Sequence, residues 1–71
     1  MSIHVTPHPN GWQVKHSNGQ RPAAVFNTQK EAIKKGRQIA INQKEELVIH
    51  GRNGRIREKN SYGNDPFPPK G

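Results

Sequence analysis

Asn-Gly pairs at Asn10-Gly11 and Asn53-Gly54 each separate two runs of alternating apolar and polar residues. Both residues tolerate the positive φ that the two centres of a type I′ turn require, so such a pair between alternating runs is a strong hairpin signal. Before the first pair, Ile3, Val5 and Pro7 alternate with His4, Thr6 and His8. After it, Trp12, Val14 and His16 alternate with Gln13 and Lys15. A period of two is that of a half-buried strand. A turn centred on Asn10-Gly11 sets Pro9 opposite Trp12 and Pro7 opposite Val14. Ile3, Val5, Pro7, Trp12 and Val14 then share one face, and His4, Thr6, His8, Gln13 and Lys15 the other. Pro7 and Pro9 have no N–H to give a ladder, which predicts an edge strand here.

The second pair predicts a hairpin of residues 47–51 and 56–59 around the tight turn Arg52-Asn53-Gly54-Arg55. With Asn53-Gly54 at the centre, Arg52 faces Arg55, Gly51 faces Ile56 and His50 faces Arg57. Leu47, Ile49, Gly51 and Ile56 share the apolar face, with Glu58 at its rim. Val48, His50, Arg52, Arg55, Arg57 and Lys59 share the other. Between the hairpins, Asn18-Gly19 signals another turn, and residues 23–26 after Pro22 suit a short strand.

Residues 28–42 read as the one helix. Thr28 and Glu31 have the spacing of a capping box, in which each side chain takes a backbone N–H of the other. Ala32, Ile33, Gly36, Ile39 and Ala40 recur every three or four residues as one apolar stripe. A glycine inside a helix costs roughly 1 kcal/mol against alanine. Close approach of the helix to the sheet, over Trp12, is the expected reason for Gly36. Lys30, Lys34 and Arg37 line the neighbouring flank.

The order β-β-β-α-β-β predicts an α+β fold: a single antiparallel sheet with one helix packed on one face and the other face open. Trp12, Ile33, Ile39, Ile49 and Ile56 are expected to be buried together. Residues 1–60 make the globular domain. Residues 61–71 read as an extended, Pro-rich tail ending Asp65-Pro66-Phe67-Pro68-Pro69-Lys70-Gly71.

A chain of 71 residues holds one domain. It has no cysteine, which excludes disulfides and thiolate zinc sites and fits a reducing compartment. Met1-Ser2-Ile3-His4-Val5 lacks the basic region and apolar run of a signal peptide. No apolar stretch exceeds four residues, which excludes a membrane-spanning helix. A cytoplasmic location is expected. Twelve Lys and Arg against five Asp and Glu give a net charge of +7. That excess favours a polyanionic partner, nucleic acid first and an acidic protein surface second.

The expected nucleic-acid-binding set is His50, Arg52, Arg55, Arg57 and Lys59 on the open face of the second hairpin. Lys15 joins them if the two hairpins are neighbours. Arg52 directly opposite Arg55 repels it, and an anion relieves that repulsion. A two-stranded ribbon fits the DNA major groove, and guanidinium groups bind phosphates or guanine edges bidentately. The same charges also fit a solvated face that deters edge-to-edge pairing.

No metal site, cofactor or catalytic set is expected. His4 and His8 point the same way but lie roughly 13 Å apart at about 3.3 Å per residue along a strand, too far to share an ion, and His16 and His50 read as ordinary surface histidines. The carboxylates Glu31, Glu45, Glu46, Glu58 and Asp65 show no pairing for acid–base work. Trp12 alternates in phase with Val14 and reads as core rather than as a platform for stacked bases.

The chain also resembles a known family. The residues that carry the likeness are His4-Val5-x-Pro7, Gly11-Trp12-x-Val14-Lys15, Thr28-x-Lys30-x-Ala32 with Gly36-Arg37 and Ala40, and Val48-x-His50-Gly51-Arg52-x-Gly54-Arg55-Ile56. Ser61-Tyr62-Gly63 and Asp65-Pro66-x-Pro68-Pro69-Lys70-Gly71 complete it. Together they resemble the small bacterial domain-of-unknown-function family numbered 2188, which commonly has alanine where this chain has Gly36. The resemblance implies a small cytoplasmic bacterial or phage-encoded protein and carries no biochemical activity with it. Function is therefore read from charge: low-specificity nucleic-acid binding through the Arg-rich face of the second hairpin. The alternative is a protein-interaction module or phage-type inhibitor that engages an acidic protein surface. No enzymatic activity is expected.

Overall fold

The computed structural model describes residues 2–17 and 24–62. Its elements are β1 (Ser2–His8), β2 (Gly11–His16), β3 (Ala24–Phe26), α1 (Gln29–Gln43), β4 (Glu46–His50) and β5 (Ile56–Ser61). This is the expected β-β-β-α-β-β order of an α+β fold. The strands make one five-stranded sheet in the order β3-β2-β1-β4-β5. Three neighbouring pairs are antiparallel, but β1 and β4 run parallel. The sheet is thus mixed, not purely antiparallel, and the helix is the reason. The 15 residues of α1 span about 22 Å at about 1.5 Å each, close to the ~23 Å length of a seven-residue strand like β1. The helix returns the chain to the end of the sheet where β1 begins, and β4 sets off beside β1 in the same direction.

That placement puts β1 in the middle of the sheet instead of at its edge. Two features let the centre accept Pro7. The β1–β4 ladder covers only Ser2 to Val5 and stops before it. On the other side Pro7 faces Trp12. In a ladder closed by His8 opposite Gly11, that pair falls between the pairs that exchange hydrogen bonds. The turn itself is Pro9-Asn10, because His8 pairs with Gly11. Proline presets the φ of the first turn position. The register therefore differs by two from the predicted one, and a shift of two leaves every side chain on its predicted face. Gly11 leaves the turn at φ +137°, and a Cβ built there would collide with the carbonyl oxygen of Phe26 and lie 3.1 Å from its carbon.

Ile3, Val5, Trp12, Val14, Ala32, Ala40, Leu47 and Ile49 form the buried core, with Phe26, Ile33, Ile39 and Tyr62 packed at its margin. The helix contributes a narrow stripe of small residues, Ala32, Gly36 and Ala40, so its backbone lies close to the sheet. A Cβ at Gly36 would sit 3.0 Å from Leu47 Cδ1 and 3.1 Å from Val5 Cγ2. The close approach predicted from Gly36 is real, but it is over Leu47 and Val5 rather than Trp12. Ile33 and Ile39 are only half-buried. Ile56 is 56% exposed and does not join the core. The cause of that correction is the loop described below.

Thr28 caps the helix, its Oγ1 accepting from the Glu31 N–H at 3.2 Å. Only this half of the predicted capping box forms among the described residues. At the other end Lys44 takes a left-handed conformation, φ 56°, and its N–H donates to the carbonyls of Ala40 and Ile41. A residue with a Cβ is strained there, whereas glycine is not. Lys44→Gly is therefore expected to stabilise the fold by about 0.5–1 kcal/mol, read as a rise in the urea midpoint at constant slope. An unchanged or lower midpoint would refute it.

The predicted Asn18-Gly19 turn, Pro22 and Ala23, and residues 63–71 of the predicted tail lie outside the described residues. β5 runs through Ser61, and Tyr62 packs on the core. No helix among the described residues is long and apolar enough to cross a membrane.

Candidate nucleic-acid interface

The β4–β5 loop is built by two glycines and an asparagine. Gly54 N donates to Gly51 O at 2.9 Å, and Gly51 N donates to Arg55 O at 2.7 Å. Gly54 has φ +86°, and Asn53 Oδ1 accepts from Arg55 N at 3.0 Å. A type I turn followed by a left-handed glycine gives a three-residue hairpin loop. Gly51 thus bonds Arg55, where the two-residue turn predicted Ile56. Arg52 and Arg55 are consequently not a facing pair. The shift then corrects itself. His50 pairs with Ile56, but Ile49 pairs with Glu58, so Arg57 is the extra residue of a β-bulge. From Glu58 onward the predicted register holds.

This one-residue detour divides the predicted Arg-rich face. Ile56 falls beside His50 on the open side of the sheet. Arg57 reaches the helix side, where its Nη1 donates to Gln29 Oε1 at 2.7 Å. Gln29 Nε2 in turn donates to His50 O at 3.1 Å, which ties the first residue of α1 to the end of β4. Arg52 also lies on the helix side, its guanidinium 5.7 Å from the centroid of the Trp12 ring. Arg52 and Arg57 line one open cleft of about 460 Å3 with Trp12, Thr28, Gln29 and Gly51. Arg55 stands exposed in the loop. Lys59 and Lys15 remain on the open face as predicted. The pairings Lys15–His4, His4–Val48 and Val48–Lys59 set them in one row across four strands. The hairpins are indeed neighbours, but Lys15 and Lys59 extend a different surface from Arg52 and Arg57.

His50 is less free than a surface histidine. Its Nδ1 lies 3.2 Å from Gly54 O, an atom that can only accept, so Nδ1 carries the proton. Its Nε2 then accepts from His4 Nδ1 at 3.0 Å, and His4 Nε2 accepts from the Ser2 hydroxyl at 2.9 Å. These tautomers follow from the donor and acceptor inventory. Burial and the neighbouring His50 hold the pKa of His4 below the usual histidine value, against a smaller opposing pull from Glu46. His4 is therefore neutral at pH 7, and the row contributes less positive charge than its composition suggests. The two histidines are 46 positions apart, and only the parallel β1–β4 pairing brings them together.

Among the described residues the one close contact between a basic and an acidic side chain is His16 Nδ1–Glu45 Oε1, at 3.8 Å. Arg52, Arg55, Arg57, Lys15 and Lys59 have no carboxylate partner there. Sequence reasoning found these cations but missed Gln29 as the group that holds Arg57. It also missed that Trp12, although only 6% exposed, lines the cleft. The capping signal at Thr28 locates the start of α1, but nothing local indicates what faces it.

Fold and site together define a small α+β module with a mixed sheet and with cations concentrated at the β4–β5 loop. The chain belongs to the family described as "Uncharacterized protein conserved in bacteria (DUF2188)", whose model matches residues 3–62. The resemblance seen in the sequence is thereby established, although the C-terminal residues Asp65 to Gly71 lie beyond the match. The chain is similar to "Uncharacterized protein YdaT" of Bacillus subtilis (strain 168), with 33% identity over 60 residues. The similarity covers 84% of this chain and 40% of that protein, so the chain spans less than half the length of this relative. No solved structure matches the chain.

Proposed function

We propose that this protein binds nucleic acid with low sequence specificity through the β4–β5 loop, with Arg52, Arg55 and Arg57 as its main phosphate contacts. One observation carries this reading. Three guanidinium groups, of Arg52 and Arg55 at the β4–β5 loop and Arg57 at the adjoining bulge of β5, lie close together in a chain of net charge +7, without a carboxylate partner among the described residues. Such groups bind phosphate oxygens by charge-assisted, often bidentate hydrogen bonds. Lys15 and Lys59 on the open face add to the long-range field that draws a polyanion in, and His50, neutral in its pair with His4, lies beside them. The bulge makes a flat ribbon seated in a groove a poor description, because the arginines do not share one face. A rim of phosphate contacts fits better, and such contacts position a protein without reading sequence.

A mobility shift with random duplex DNA, single-stranded DNA and RNA at two salt concentrations tests this. Binding at low salt should fall steeply as salt rises, because counterions are released from the nucleic acid. Arg55→Ala should flatten the log–log salt slope by about one unit. Charge reversal at both Arg55 and Arg57 should abolish binding while the far-UV circular dichroism stays unchanged. Normal binding by that double variant, or no binding by the wild type at low salt, sinks the proposal. An acidic protein surface then becomes the leading account of the charge.

A further inference from the structure

We infer that the cleft between the β4–β5 loop and the start of α1 is a receptor for a phosphomonoester group, held by Arg52 and Arg57. The inference rests on the nucleic-acid reading only for the source of the phosphate. Two guanidinium groups line one cleft of about 460 Å3, and no carboxylate among the described residues lines it with them. That size lies within the range of small-ligand sites. It admits one phosphate and its sugar but no stretch of duplex.

Both arginines are positioned by neutral groups. The Gln29 carboxamide oxygen takes one N–H of Arg57 at 2.7 Å, and Gln29 is itself anchored to His50 O at 3.1 Å. The Trp12 ring lies against Arg52 at 5.7 Å. Neither contact cancels a positive charge. A guanidinium has five donors in a rigid fork, so Arg57 keeps four N–H groups for a ligand. The bulge is what aims Arg57 here: in the uninterrupted register it would lie opposite His50 on the other side of the sheet. Bulges commonly serve to re-aim a side chain. Two like charges sharing one cleft disfavour the empty site and favour a dianion, and a phosphomonoester carries close to two charges at neutral pH. The first turn of α1 presents its positive end to the same space, which agrees in sign but is not the basis of the inference. Trp12 lies beneath Arg52 and is almost fully buried, so no base stacks on it. Recognition is of the phosphate and is indifferent to the base.

The group could be the 5′-phosphate end of a nucleic-acid strand or a free phosphorylated metabolite, and the test separates the two. Trp12 is the only tryptophan of the chain and lines the cleft, so its fluorescence reports occupancy. The full chain in phosphate-free buffer is titrated with inorganic phosphate, a nucleoside, its 5′-monophosphate, and one oligonucleotide with and without a 5′-phosphate. Phosphate and the monophosphate should give saturable changes, and the nucleoside none. The 5′-phosphorylated oligonucleotide should bind at least about fivefold tighter than its unphosphorylated form. Arg52→Ala and Arg57→Ala should each weaken monophosphate binding about tenfold or more and erase the 5′-phosphate preference. Gln29→Ala should weaken it less, about threefold, and Lys34→Ala, at an exposed helix position that does not line the cleft, should leave it within twofold. Thermal melts confirm that each variant is folded. Should the monophosphate bind while no oligonucleotide does, the cleft stands, its ligand is a free phosphorylated metabolite, and the nucleic-acid reading falls. Should oligonucleotides bind with no 5′-phosphate preference and no effect of Arg52→Ala or Arg57→Ala on the monophosphate, the receptor falls and the loop reading stands. Equal responses to nucleoside and monophosphate also overturn the receptor.

Discussion

Gly11→Ala is expected to destabilise the protein by about 3 kcal/mol or more, a sum of backbone strain and a steric clash that cannot be relieved locally. Gly11 has φ +137°, in a region that residues with a Cβ rarely enter, and its missing side chain is where the Phe26 carbonyl passes. Phe26 belongs to β3, which pairs with β2 over only three residues. Moving that carbonyl aside disrupts the short pairing between Trp12 and Phe26. Gly54 separates the two contributions. It also has positive φ, +86°, but nothing lies within 4 Å of a Cβ placed there. Gly54→Ala should therefore show strain alone, about 1–2 kcal/mol. Urea denaturation of both variants measures the difference. If Gly11→Ala costs no more than Gly54→Ala, β3 does not approach Gly11 as described. A domain of this length is stable by only about 4–10 kcal/mol, so the Gly11 change removes a large share of the total.

Leu47→Ala should cost about 2–5 kcal/mol, the range for truncating a well-packed leucine. Leu47 is 1% exposed, and its Cδ1 fills the space that Gly36 leaves open on the helix. The cavity lies between the two layers, where the narrow Ala32–Gly36–Ala40 stripe supplies no bulky side chain of its own to collapse into it. Ile56→Ala provides the contrast. The side chain is 56% exposed, so its loss should cost less than about 1 kcal/mol. The alternating pattern of the sequence predicts no such contrast, because it places Leu47 and Ile56 together on the apolar face. Equal losses for the two variants would restore the uninterrupted hairpin register and with it the single Arg-rich face. Gly36→Ala placed in the Leu47→Ala background should recover part of the loss, because the added methyl enters the vacated volume. In the wild-type background the same methyl meets Leu47 and Val5 at 3.0–3.1 Å and should gain less.

Much of the candidate site was legible as residues and little of it as geometry. The net charge singles out the cations, and the Gly-rich turn places Arg52 and Arg55 in a loop. The cleft was invisible because its walls come from three separated stretches: Trp12 on β2, Thr28 and Gln29 at the start of α1, and Arg52 and Arg57 around the β4–β5 loop. The His4–His50 pair is hidden for the same reason. Its members are ordinary in their own strands and meet only because β1 and β4 are neighbours.

Local chemistry determined the elements. Alternation at 3–7 and 12–16 separates core-facing from open-facing side chains, and that division survived a register error of two because side chains on a strand repeat every two residues. Thr28 and the stripe Ala32, Gly36, Ala40 place the helix within a residue of its ends, because capping and helical periodicity act within a few positions. Tertiary structure decided which strands are neighbours. The helix crosses a full strand length, so β4 starts beside β1 and runs parallel to it, and a strand whose prolines suit an edge lies at the centre. It also decided the hairpin. A loop of three residues rather than two and a bulge at Arg57 differ from the predicted turn by a single residue, and a single residue reverses which face a side chain takes. Both registers satisfy the local alternation equally. The choice between them is made by contacts that exist only in the folded chain, such as Arg57 with Gln29 and Arg52 with Trp12.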